Sequence, residues 1–212
     1  MAGDLLESLY RSLVDGMLDE VEGYVSKLLT DGTPSKEILD AMVRGMEEVG
    51  RRYEAKEYFL PDMILSGQAM KSGIAMILPT LRMEGIKFRG KIILGSVEGD
   101  VHDLGKSIVA SFLAGAGYEV IDLGIEVRAE AFVQKVQETN PDIIGASAYM
   151  TTTTAHLPEV NDALKKAGVR DKVKFIIGGA ATSEGFVKWA GADGWAETAV
   201  DAVKLVNKLL ER

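Results

Sequence analysis

A change in hydrophobic periodicity near residue 85 constrains this chain more than any other feature. Before it, apolar residues recur at intervals of three and four, as in Ile38-Met42-Met46-Val49 and Met63-Gly67-Met70-Ile74-Ile77. That spacing gives each helix one apolar stripe. After it, short apolar runs at 91–97, 118–122, 142–147 and 173–178 alternate with amphipathic stretches near 104–116, 128–138, 154–167, 183–190 and 197–211. Near-continuous apolar strands separated by helices are the pattern of a parallel sheet covered on both faces. An all-α region followed by an α/β region is therefore expected.

The first region reads as four helices, near 4–14, 16–30, 34–53 and 61–82, forming a four-helix bundle. Thr33 before Pro34 reads as an N-cap followed by a first-turn proline, Pro61 opens a helix in the same way, and Asp31-Gly32 breaks the chain between helices. Gly85-Ile86-Lys87-Phe88-Arg89-Gly90 reads as a linker, so the expected domains are 1–84 and 91–212, joined by 85–90. A short fifth strand around Ala192–Trp195 completes a flavodoxin-like, Rossmann-type five-stranded parallel sheet of order 2-1-3-4-5.

Composition narrows the partners. Lys plus Arg number 24 against 32 for Asp plus Glu, a net charge of -8, which argues against a general electrostatic grip on nucleic acid. There are no cysteines, so disulfides, thiolate metal sites and cysteine nucleophiles are all excluded. Met1-Ala2-Gly3-Asp4 lacks a basic region followed by an apolar run, and no apolar segment approaches the roughly 20 residues needed to span a bilayer. A cytoplasmic protein with neither a membrane nor a nucleic-acid partner is expected.

In a sheet of this order the ligand crevice lies at the C-terminal ends of strands 1 and 3, where the winding reverses. Strand 1 leads into Glu98-Gly99-Asp100-Val101-His102-Asp103-Leu104-Gly105-Lys106-Ser107. Strand 3 leads into Ser147-Ala148-Tyr149-Met150 and four threonines, Thr151 to Thr154, and strand 4 into Gly178-Gly179-Ala180-Ala181-Thr182-Ser183. These three loops are expected to face one site.

The strand 1 loop admits several readings. Gly105-Lys106-Ser107 looks like the end of a phosphate-binding G-x-x-x-x-G-K-S, but Asp100 stands where the first glycine belongs, and a carboxylate there repels a phosphate. Asp100, His102 and Asp103 read as ligands of a bare metal ion give an incomplete set, because the neighbouring loops add no His, Cys or carboxylate cluster. A lone His102 also serves as a helix cap. The Asp-x-His pair favours a further reading: a metal-bound imidazole usually donates its second N–H to a carboxylate, and one protein ligand suffices when a macrocycle fills the equatorial positions.

At these residues the chain resembles a known family. Asp100-Val101-His102-Asp103-Leu104-Gly105 matches the D-x-H-x-x-G signature of cobalamin-binding domains, Ser147-Ala148-Tyr149 falls where they carry S-x-L, and Gly178-Gly179 matches their G-G. The resemblance implies a cobalamin or related corrinoid whose dimethylbenzimidazole tail leaves the cobalt and inserts beside strands 1 and 3. His102 then becomes the cobalt ligand, Asp100 accepts its second N–H, and Thr153 extends a ligand–proton relay. Ser147 would hydrogen-bond the tail base with Thr151 nearby. Gly99, Val101, Asp103, Gly105, Gly178 and Gly179 would line the cofactor, the last three where backbone must approach it closely. Tyr149 departs from the pattern, since the family has leucine there, and a larger side chain bears on which lower base is accepted.

The segment from Val49 to Pro61 resembles the cap helices of methionine synthase and of the small corrinoid proteins of methyltransferase systems. By that resemblance Tyr53 and Leu60 lie over the upper face of the corrin; both also suit the core of the bundle. The implied function is a methyl carrier cycling between Co(I) and methyl-Co(III), with methylcobalamin as one form. Its implied partners are a substrate-specific methyltransferase, a second methyltransferase using tetrahydrofolate or coenzyme M, and a reductive activase. No independent substrate site is evident. The alternative is a non-catalytic cobalamin sensor or storage module.

Overall fold

The computed structural model describes residues 2–210. They group into two compact units. The first runs through Arg89 and includes Ala114–Gly117; the second comprises Gly90–Leu113 and resumes at Tyr118.

The first unit contains α1 (Ala2–Val14), α2 (Leu18–Thr30), α3 (Ser35–Glu54) and α4 (Leu60–Met83). The apolar spacing is the packing surface: Ile38, Met42, Met46 and Val49 on α3 and Met63, Met70 and Ile77 on α4 are all buried. Gly45 allows α1 and α3 to approach closely, because a Cβ there would lie 2.5 Å from Leu13 Cδ2. The capping of α3 differs from the expectation. Pro34 itself holds the N-cap position in an extended conformation (φ -52°, ψ 131°) with no side-chain cap, so Thr33 lies one residue outside it. For α4, Phe59 is the N-cap residue and Asp62 reaches back to its amide at 2.8 Å, with Pro61 in the first turn, where its missing N–H costs nothing.

The second unit alternates β1 (Lys91–Ser96), α5 (Leu104–Gly115), β2 (Glu119–Asp122), α6 (Ala129–Thr139), β3 (Ile143–Ser147), α7 (His156–Lys166), β4 (Lys174–Gly178), α8 (Phe186–Ala190), β5 (Gly194–Trp195) and α9 (Ala199–Leu209). All pairings are parallel and the strand order is β2-β1-β3-β4-β5, the flavodoxin-like order expected from the alternation. Ile93, Ile144, Phe175 and Ile177 pack with Phe132 and Val136 of α6 and Leu157, Val160 and Leu164 of α7 in one buried cluster. Ile92, Leu94, Ile143 and Ile176, also buried, alternate with them and face the other side. Burial on both faces explains why these strands read as continuous apolar runs. The helices expected at 183–190 and 197–211 begin later, at Phe186 and at Ala199, the second behind Thr198, whose side chain accepts the Asp201 amide as an N-cap; residue 211 lies outside the described residues. Among the described residues, no helix is long and apolar enough to cross a membrane.

Candidate functional site

The register sets the site. Ser96 of β1 pairs with Ser147 of β3, which pairs with Gly178 of β4, so all three strands end on one row. Beyond Ser96 the chain turns at once: the Asp100 amide donates to the Val97 carbonyl at 3.0 Å, and Gly99 supplies φ +74° at the third position of that turn, where a type II turn requires it. The turn delivers the Asp100 carboxylate into the crevice between β1 and β3, where the residue is only 1% exposed.

Both carboxylate oxygens of Asp100 are fully used. Oδ1 accepts the His102 amide at 3.0 Å and lies 2.9 Å from His102 Nδ1. Oδ2 accepts the Tyr149 amide at 2.6 Å and the Thr153 hydroxyl at 2.8 Å. Burial pushes the carboxyl upward, but the amides of Tyr149 and His102, the Thr153 hydroxyl and the His102 ring outweigh it and hold the value at about 2, below the usual 3.8. Asp100 is therefore a carboxylate at neutral pH and can only accept. It follows that His102 Nδ1 carries a proton toward Asp100, which leaves Nε2 as the nitrogen that offers a lone pair whenever the ring is neutral. Among the described residues no hydrogen bond engages Nε2, and the side chain is 40% exposed.

Several further contacts hold this arrangement. The buried Ser96 hydroxyl donates to the His102 carbonyl at 2.9 Å, fixing the backbone that carries the imidazole. The Tyr149 ring stacks on the His102 ring with centroids 4.1 Å apart and planes 20° apart. Lys106, on the first turn of α5, is buried between two carboxylates, Asp103 at 2.6 Å and Asp122 at the end of β2. It thus ties the residue after His102 to the neighbouring strand.

Ser96, Lys106 and Asp122 are absent from the residues singled out by sequence. Ser96 reads as an ordinary strand residue, and its role depends on the chain folding back six positions later. Lys106 was visible only as a partial phosphate motif, and a lysine followed by a strand-ending aspartate was the available signal.

The other sequence-selected residues divide clearly. Asp100, His102, Tyr149 and Thr153 are brought into direct contact. Ser147 is half-buried on the same strand-end row, Thr151 is exposed on the following loop, and Val101, Asp103 and Gly105 are exposed around the start of α5. A Cβ on Gly105 would meet only open space. Gly179 is different: it has φ +105°, and a Cβ would lie 2.2 Å from the Ala148 carbonyl oxygen, so packing within the chain already demands glycine there. Gly178 is milder, with a Cβ 3.3 Å from the Ala196 carbonyl. Tyr53, half-buried on α3, and Leu60, exposed at the start of α4, belong to the first unit.

The donor chemistry tests which kind of metal fits. Among the described residues, no group of three or more His, Cys, Asp or Glu could hold a metal ion, so a bare ion has no cage. One oriented imidazole with an accepting carboxylate behind it suits a metal whose equatorial positions a macrocycle already fills. Val101, Ile125, Tyr149 and Met150, on the loops after β1, β2 and β3, and Leu104, at the start of α5, are exposed apolar side chains at this end of the sheet.

Comparison with known proteins agrees with this chemistry. Residues 90–204 match the B12 binding domain family, and residues 5–78 match a second family model also described as a B12 binding domain. A corrinoid protein of Desulfitobacterium hafniense is 43% identical over 99% of both chains. The dimethylamine corrinoid protein of Methanosarcina barkeri is 41% identical over 98% of both. Among solved structures, the methanol:cobalamin methyltransferase complex MtaBC of Methanosarcina barkeri superposes with a TM-score of 0.83 at 33% identity, covering 98% of this chain and 80% of that one.

Proposed function

Because this chain belongs to the B12-binding corrinoid proteins of methyltransferase systems, we propose that it is a methyl carrier in which His102 is the protein ligand to the cobalt. It binds cobalamin or a related corrinoid. When bound, that group supplies a cobalt centre that accepts a methyl group and gives it up again. The observation that carries the ligand assignment is the Asp100–His102 pair, in which a fully hydrogen-bonded carboxylate holds the proton on Nδ1 and leaves Nε2 free.

The chain's own residues orient and tune that ligand. Asp100 holds the imidazole through Nδ1, and Thr153 and the Tyr149 amide keep the carboxylate from turning away. Asp100, held as a carboxylate by the Tyr149 amide and the Thr153 hydroxyl, would keep accepting from His102 Nδ1 whether or not the imidazole held the metal, with Thr153 donating to Oδ2 behind it. Ser147, Thr151, Gly178 and Gly179 are proposed to receive the lower-base tail at the strand ends, with Gly99, Val101, Asp103 and Gly105 lining the cofactor beside His102. Tyr53 and Leu60 are proposed to contact the corrinoid from the helical unit; the adjacent exposure of Phe59 and Leu60 supports that reading.

A protein of this kind works with a methyltransferase. We assign it one partner that delivers a methyl group from a substrate and a second that removes it to tetrahydrofolate or coenzyme M, with a reductive activase restoring the reactive cobalt state. Methylamine-type donors are favoured by the likeness to the dimethylamine corrinoid protein.

The test is reconstitution with hydroxocobalamin, reduction to Co(II) and paramagnetic resonance. The wild type is expected to show coupling to one nitrogen that His102→Ala abolishes. The same nitrogen signal in both proteins would remove His102 as the ligand.

A further inference from the structure

A single hydrogen bond does not fix an imidazole. With Nδ1 anchored on Asp100 Oδ1, the ring can still pivot about the Nδ1–Oδ1 direction, and the pivot swings Nε2 through an arc. The direction of Nε2 is defined only when a second contact sets the plane of the ring. In this structure that contact is Tyr149, whose ring lies 4.1 Å from the imidazole at an interplanar angle of 20°. The Tyr149 backbone is fixed by the same carboxylate, through its amide to Asp100 Oδ2 at 2.6 Å. Asp100 thus grips the edge of His102 with one oxygen and, with the other, the backbone of the residue that covers its face.

We propose that Tyr149 is a positioning residue for the cobalt ligand: its ring sets the plane of His102, preorganises Nε2 and favours the ligated over the released state. The proposal rests on His102 being the ligand. It goes further by giving a function to the side chain that departs from the family's leucine. Leucine at this position retains the backbone amide bond to Asp100 but supplies no flat face, so the plane of the imidazole is left to the macrocycle alone. Stacked aromatic pairs contribute roughly 0.5–1.5 kcal/mol beyond area burial, which corresponds to about a two- to tenfold bias toward ligation. Tyr149 is 53% exposed, so replacing it leaves the core intact.

The experiment compares wild type, Tyr149→Phe, Tyr149→Leu and His102→Ala, each as the full chain. In the apo-protein, proton resonances of the His102 ring are expected to lie upfield in wild type and Tyr149→Phe and to lose that displacement in Tyr149→Leu. In protein reconstituted with hydroxocobalamin, a two- to tenfold loss of His102 ligation to Co(II) in Tyr149→Leu raises the Co(II)/Co(I) midpoint potential by about 20–60 mV, at 59 mV per tenfold for one electron. Tyr149→Phe is expected to match wild type in both measurements. If the nitrogen signal is present and lost in His102→Ala, yet Tyr149→Leu has the wild-type potential, the stacking proposal is overturned and the ligand assignment stands. If Tyr149→Phe shifts as far as Tyr149→Leu, the plane-setting role is likewise overturned. If the wild type lacks a His102-dependent nitrogen signal, both readings fail together.

Discussion

The two units hold their proposed cofactor-facing residues in different ways. In the α/β unit, His102, Asp100, Thr153 and Tyr149 are tied atom to atom, and three backbone amides and a hydroxyl converge on one carboxylate. In the helical unit, Tyr53 and Leu60 are placed by the helices that carry them, one half-buried on α3 and the other exposed at the start of α4. The first arrangement ties each group to a specific partner atom. The second specifies a surface, which other apolar residues can also form. Glycines show the same contrast. Gly179 is wedged against the backbone of β3's following loop, whereas Gly23 on α2 has nothing within 4 Å of where a Cβ would be.

Substitution at Gly179 tests the rigid side of that contrast with the largest effect. An alanine there must adopt φ +105° and place its Cβ 2.2 Å from the Ala148 carbonyl oxygen, so the loops after β3 and β4 must separate. Gly179→Ala is expected to destabilise the α/β unit by about 3 kcal/mol. Both tryptophans, Trp189 and Trp195, lie in that unit, so denaturant unfolding followed by tryptophan fluorescence measures it directly. An unchanged midpoint would mean that this strand-end packing is looser than its geometry.

Asp100 comes next. Its carboxyl is held at about 2 against 3.8, which corresponds to roughly 2 kcal/mol favouring the folded loop. Because the folded-state value lies below the unfolded one, this stabilisation is complete above about pH 4 and is lost as pH falls through about 2. Asp100→Asn is expected to lower apo-protein stability by about that amount at neutral pH and to flatten its acid dependence between about pH 4 and 2. A variant with the wild-type pH profile would show that the carboxylate's charge contributes nothing to folding.

Much of the α/β unit was legible in sequence because its signals are local. Buried strands give unbroken apolar runs, and Asp-x-His places two groups on one turn. The Asp100–Thr153 contact follows from the resemblance, whereas the contacts of Ser96 and Lys106 are not legible in sequence because their partners are set by tertiary folding. Ser96 reaches a carbonyl six residues on, and Lys106 reaches the end of a strand reached only after all of α5. Helix existence in the first unit was equally plain, but its caps were not. Thr33 and Pro34 both suit a helix start, and only the backbone angles show that Pro34 takes the cap position itself. Residue types cannot distinguish a face that packs on the bundle from one that meets a cofactor, and this leaves Tyr53 and Leu60 resting on resemblance.

The permissive side of the contrast is tested at Gly23, with the smallest effect and the opposite sign. Gly23 is exposed in the middle of α2, has an ordinary helical backbone and faces open space. An alanine therefore meets no steric cost while reducing the freedom of the unfolded chain, a gain of roughly 0.5–1 kcal/mol. Gly23→Ala is expected to raise the midpoint of denaturant unfolding followed by far-ultraviolet circular dichroism, with corrinoid binding unchanged. If the same substitution were instead destabilising or impaired corrinoid uptake, this face of α2 would be covered by a contact of its own, and the helical unit would be as closely specified as the loop around His102.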